Sequence, residues 1–176
     1  MSANKITVSI TTLGCARNEV DTEELAGKLS AAGWELVSDP AEAQVAVINT
    51  CGFIESAKKD SVDALLEANS LKRNGKTKAV VAVGCMAERY GEELAKALPE
   101  ADGILGFDDY KEISNRLTTI LNGGKVAPPK SQDRRDLLPI SPVARQQGKP
   151  SEKFARKRLT GGSLAPLKIA SGCDRK

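Results

Sequence analysis

Short apolar runs alternate with amphipathic stretches from residue 6 to residue 121. Residues 6–13 (Ile-Thr-Val-Ser-Ile-Thr-Thr-Leu) switch between apolar and polar in steps of two, the period of a strand with one face buried. Residues 43–49 and 79–83 are almost wholly apolar and short, which predicts strands covered on both faces. Residues 34–37 and 103–106 predict two shorter strands. The intervening segments follow the helical period. Residues 21–32 place Leu25, Leu29 and Ala32 on one face and end at Gly33. Residues 56–69 do the same with Ala57, Val62, Leu65 and Leu66. Residues 89–98 stop at Pro99, and residues 109–121 stop at Asn122-Gly123-Gly124. Strands alternating with helices at this pitch predict parallel βαβ units with right-handed crossovers. The expected fold is α/β: a doubly wound, mostly parallel five-stranded sheet of order 2-1-3-4-5, with helices on both faces.

The pattern stops at Gly123. Pro128, Pro129, Pro139, Pro142 and Pro150 sit among many charges, as in an extended linker. Residues 165–171 read as the first strand of a further unit. The expected division is a domain over 1–122, a basic Pro-rich linker over 123–163, and the start of another domain over 164–176. Charge follows this division. Residues 1–122 carry 13 Lys/Arg against 19 Asp/Glu, and residues 123–176 carry 13 against 4. An acidic body with a basic tail suits contact with ribosome or RNA, and equally suits a solvated linker. Hydrophobic residues make up 40% and aromatics 3%, so the core must be aliphatic. There is no histidine, which excludes imidazole ligands, a Ser–His–Asp triad and a His-activated cysteine. No apolar run approaches a membrane span, and the first residues lack the apolar stretch of a secretory signal. The expected compartment is the cytoplasm. No strand is followed by a GxGxxG or P-loop motif.

Cys15, Cys51 and Cys85 each follow one of the predicted strands 1, 3 and 4. In a 2-1-3-4-5 sheet these strands are neighbours about 4.8 Å apart, so their loops can meet at one carboxyl edge. Each of these cysteines touches a glycine (Gly14, Gly52 or Gly84), which permits close backbone approach. Three thiolates without histidine favour an iron–sulfur cluster over zinc, with one iron left open. Asn18, Asn49 and Thr50 fall on the same edge. They carry donors suited to cluster sulfides, and Asn49 and Thr50 equally suit loop or helix capping. Arg17 can offset the cluster's charge or pair with Asp21 one helical turn on. Glu55 and Arg89 read as structural residues just inside the following helices.

Three runs then resemble one known family. Residues 11–23 (Thr-Thr-Leu-Gly-Cys-Ala-Arg-Asn-Glu-Val-Asp-Thr-Glu), 48–58 (Ile-Asn-Thr-Cys-Gly-Phe-Ile-Glu-Ser-Ala-Lys) and 83–93 (Val-Gly-Cys-Met-Ala-Glu-Arg-Tyr-Gly-Glu-Glu) resemble the motifs of the methylthiotransferases, which are radical S-adenosylmethionine (SAM) enzymes. The resemblance implies that Cys15, Cys51 and Cys85 bind an auxiliary 4Fe–4S cluster. The Gly-Phe-Ile-Glu run after Cys51 is similar to the branch that modifies an aspartate of a small-subunit ribosomal protein, rather than the tRNA-modifying branch. Residues 167–176 resemble the strand entering a radical-SAM barrel, with Cys173 as the first cysteine of CxxxCxxC. The chain stops one residue before the second is due, so the expectation is a truncated form, inactive by itself. In the complete enzyme the resemblance implies a second 4Fe–4S cluster that cleaves SAM. The resulting radical abstracts hydrogen from the aspartate β-carbon, and a methylthio group arrives from the auxiliary cluster. Two alternatives stay open: a tRNA methylthiotransferase fragment, or a non-enzymatic α/β module that contacts ribosome or RNA.

Overall fold

The computed structural model describes residues 5–130, 156–159, 161 and 165–166. The elements run β1 (Thr7–Thr12), α1 (Ala16–Ala31), β2 (Glu35–Leu36), β3 (Val45–Thr50), α2 (Glu55–Asn74), β4 (Ala79–Gly84), α3 (Cys85–Ala97), β5 (Gly103–Ile104) and α4 (Ile113–Leu121). Short 3-10 turns occupy Pro40–Glu42 and Phe107–Glu112. All five strands are parallel and ordered β2-β1-β3-β4-β5, as the alternating pattern predicts. Thr12 lies opposite Asn49, Asn49 opposite Val83, and Thr50 opposite Gly84. The three central strands therefore end level with one another.

The central strands divide their side chains between two cores. Val45, Val47, Val81 and Val83 face α1 and α4 and pack with Leu25, Leu29, Leu117 and Ile120. Ala46, Ile48, Val80 and Ala82 face α2 and α3 and pack with Leu65, Ala68, Met86 and Leu94. This is why β3 and β4 read as continuous apolar runs: both faces are covered. Trp34 joins the first core and donates from Nε1 to Ser114 Oγ at 2.9 Å. After α4 the chain returns across the domain. Val126 packs on the first core, and Pro129 lies against Gly91 and Gly106.

Two helices begin earlier than their apolar periodicity predicts. α1 starts at Ala16, not near Asp21, because Asn18, Asp21, Thr22 and Glu23 are buried polar residues in its first half. A rule that looks for apolar residues on the inner face misses turns whose inner face is polar. α3 starts at Cys85, four residues before residue 89. It is bent at Tyr90 (φ −123°, ψ 25°), and the predicted start lies just ahead of that bend. α2 continues to Asn74 through a basic last turn that suits the negative end of the helix dipole. The predicted helix over 109–121 is divided into a 3-10 turn and α4. Residues 167–171 of the predicted strand and Cys173 lie outside the described residues, as does most of 123–163. Among the described residues no helix is long and apolar enough to cross a membrane.

Leu25 is fully buried between α1 and the sheet. Leu25→Ala should cost about 2–5 kcal/mol. Urea unfolding should show this as an earlier midpoint with an unchanged slope. An unmoved midpoint would contradict this packing.

Candidate metal centre

The three central strands deliver their cysteines to one edge in different ways. β1 runs through Leu13 and Gly14 to Cys15, which caps α1 in an extended conformation (φ −100°, ψ 171°) and is exposed. β3 ends at Thr50, and Cys51 follows directly and is buried. β4 ends at Gly84, and Cys85 is the first residue of α3 and half-buried. Among the described residues none of the three is in a disulfide. Two of them stand at helix N-termini, where unpaired backbone N–H groups favour negative charge.

Glycine is required where the loops touch. Gly14 has φ +96°, and a Cβ there would stand 2.8 Å from Cys51 Cβ and 2.9 Å from Cys51 Sγ. Gly84 has φ +91°, and a Cβ there would stand 2.2 Å from Asn49 Oδ1 and 2.7 Å from the Thr50 carbonyl. Each loop therefore uses its glycine to lie flush against the neighbouring cysteine loop.

A hydrogen-bond network ties these loops together. Asn18 Nδ2 donates to the Leu13 carbonyl at 2.6 Å and to the Thr50 carbonyl at 3.2 Å. Asn18 Oδ1 accepts from Cys85 Sγ at 3.6 Å. Asn49 Nδ2 donates to the Asn18 carbonyl at 2.8 Å and to Thr22 Oγ1 at 2.9 Å. Thr50 Oγ1 donates to the Val83 carbonyl at 2.6 Å and accepts from the Ala87 N–H. Ser61 Oγ accepts from the Cys51 N–H at 3.0 Å, a partner that the sequence reading did not single out. The donors of Asn18, Asn49 and Thr50 are thus directed to the protein itself, and these residues space the loops. Arg17 is exposed while Asp21 is buried. Glu55 pairs with Lys58 at 2.6 Å, and Arg89 lies over the Tyr90 ring at 5.3 Å.

Tyr110 is a second residue that pattern reading does not single out. It is buried and edge-on to Phe107, with its hydroxyl near the Gly84 backbone. Burial pushes its phenol well above the usual range, and the charges of Asp21, Cys85 and Glu24 push it the same way. It belongs to a 3-10 turn far along the chain from the cysteines, so no local spacing marks it.

Among the described residues, no three Cys, Asp or Glu side chains converge where a single metal ion could sit. A polynuclear cluster makes a different demand, one thiolate on each of several irons. The donor set fits that demand. The sulfur of Cys51 lies against Gly14, beside Cys15, and the sulfur of Cys85 lies against Asn18, three residues beyond Cys15. The sulfurs of Cys51 and Cys85 thus both lie beside the segment 14–18 that carries Cys15. The buried Asn49 Oδ1, which has no hydrogen-bond partner among the described residues, lies behind the same edge against Gly84.

Residues 7–106 match the family described as "Uncharacterized protein family UPF0004". The chain belongs to the UPF0004 family. The matched stretch holds all five strands, the three cysteines and the network of Asn18, Asn49 and Thr50. Tyr110 lies beyond it. The chain is 60% identical to "Ribosomal protein uS12 methylthiotransferase RimO" of Streptomyces coelicolor, over 97% of this chain and 39% of that protein. It is 60% identical to the protein of the same name from Streptomyces avermitilis, over 97% and 40%. For that of Cutibacterium acnes the identity is 54%, again over 97% and 40%. The chain thus spans about two fifths of the length of these relatives and aligns with their N-terminal part.

The glycines at this edge allow a direct comparison. Gly33 also has a positive φ, +87°, but a Cβ there meets nothing within 4 Å. Gly33→Ala should cost about 1–2 kcal/mol, from backbone strain alone. Gly84→Ala should cost about 1–3 kcal/mol more, from the clash with Asn49 and Thr50. Paired chemical denaturation curves check this, and equal losses would mean that the loops are not in contact.

Proposed function

We propose that this UPF0004 chain is the iron–sulfur domain of a methylthiotransferase acting on ribosomal protein uS12. One observation carries the reading. Cysteines at three adjacent strand ends come to one edge, where the Cys51 and Cys85 sulfurs lie beside the segment that carries Cys15, in a chain 60% identical to a uS12 methylthiotransferase. Cys15, Cys51 and Cys85 would hold a 4Fe–4S cluster by three of its irons. When bound, such a cluster supplies an open iron able to carry the sulfur that is to be transferred. The chain's own residues do the rest. Asn18 holds the loops after β1 and β3 at a set separation. Ser61 anchors the Cys51 backbone, and burial of Cys51 keeps water from one side of the centre. Cys173 and the second cluster, with SAM, belong to the activity of the whole protein.

The protein substrate is favoured over tRNA by the surface beside Cys51. Phe53 and Ile54 are 58% and 53% exposed, at the start of α2. An apolar pair in that position suits a peptide segment better than a phosphate backbone. The acidic balance of residues 1–122 suits a basic protein for the same reason. The excess of Lys and Arg over residues 123–176 would contact ribosomal RNA.

Anaerobic reconstitution with iron and sulfide, followed by iron counting and Mössbauer spectroscopy, tests the cluster assignment. The wild-type chain should take up about four irons. The variant with Cys15, Cys51 and Cys85 all changed to alanine should take up none while keeping its circular dichroism spectrum. A folded wild-type chain that binds no iron would move the reading to an interaction module with structural cysteines.

A further inference from the structure

Glu23 is a carboxylate in α1 that the candidate centre does not use. It is only 5% exposed. At 1.5 Å per residue it stands about 12 Å along the helix from Cys15. A buried carboxylate is costly unless it is paired and hydrogen-bonded. Among the described residues its partners come from one distant segment. The Arg156 guanidinium meets Oε2 through both Nε and Nη2. The Leu159 N–H donates to Oε1 at 3.1 Å, and the Lys157 N–H donates to the Glu23 backbone carbonyl at 3.2 Å. Arg156 Nη1 also donates to the Pro166 carbonyl at 2.7 Å, so the same guanidinium holds the chain further on. Burial alone would raise the Glu23 carboxyl. The Leu159 N–H and the Arg156 and Arg158 charges outweigh it and hold the group below the usual carboxylate range.

We infer that Glu23 is a clasp that docks the basic segment 156–159 onto α1. The clasp sets where the polypeptide beyond Pro166 begins relative to the thiol edge. It holds whether or not the cysteines bind a cluster. Its value lies in reach. An unanchored tether of about thirty residues would let its ends wander over about 30 Å. A segment pinned to α1 starts from one place. Thr22, the neighbour of Glu23, bonds to Asn49 Nδ2 and to Thr12 Oγ1 at 2.7 Å, so the docking helix is itself locked to the cysteine loops. The relatives continue well beyond the matched region, and this is the point from which their remainder would be aimed.

Residue-resolved amide exchange at pH 7 on the 176-residue chain tests the clasp. Glu23→Gln, Arg156→Ala and the double variant are compared with wild type, with Val81 in the core as reference. Protection of the Leu159 amide should fall about ten- to a hundredfold in each single variant, the equivalent of one charge-assisted hydrogen bond. The double variant should lose no more than either single, because both remove the same contact. Val81 should not change. Equal Leu159 exchange in wild type and Glu23→Gln would overturn the clasp. So would additive losses, or a loss that Val81 shares.

Discussion

The amide of Asn18 is shared by three loops, and the carboxyl edge of the sheet depends on it. Its nitrogen bonds the last carbonyls of the β1 and β3 strand ends, and its oxygen meets the thiol that opens α3. A buried amide leaves little freedom, because each of its polar atoms must find a partner or cost about 1–3 kcal/mol. Satisfying them requires the three strand ends to be level. The sheet register supplies that alignment. Glycine at positions 14 and 84 then lets the loops close onto one another without a Cβ between them. Each thiol is thus placed by backbone that a neighbouring loop holds.

The same logic explains the polar first half of α1. Asn18, Asp21, Thr22 and Glu23 are buried there, against the usual preference of a helix for an apolar inner face. Asn18 and Thr22 bond across the sheet edge, while Glu23 takes a distant guanidinium. The last two turns carry Leu25, Ala26 and Leu29 into the core and supply the helix with apolar burial. α1 therefore does two jobs in sequence along its length. Its N-terminal half organises the cysteine loops, and its C-terminal half holds the helix down. Among the described residues, Ser9 Oγ and Asn49 Oδ1 are buried without a hydrogen-bond partner. Asn49 lies at this edge, where polar groups gather because the apolar core ends.

The β-rich and apolar runs determined the fold class, because burial of a parallel sheet on both faces leaves a signal in the central strands. The order 2-1-3-4-5 was expected as a common order of five-stranded doubly wound sheets, and it puts three cysteines at the ends of neighbouring strands. That much of the candidate centre was legible from residue types and spacing. Periodicity did not show where α1 and α3 begin, because their opening turns carry polar residues or a bend at Tyr90. Nor did any local pattern assign Asn49 and Thr50 to protein partners instead of sulfides. Only the tertiary structure decided those bonds. It alone brought Ser61 to Cys51, Tyr110 to the buried side of the edge, and Arg156 to Glu23 across 133 residues of chain. Pairings of this kind depend on directions and distances between elements that are remote in sequence. A hydrophobic pattern records only which face of each element is buried.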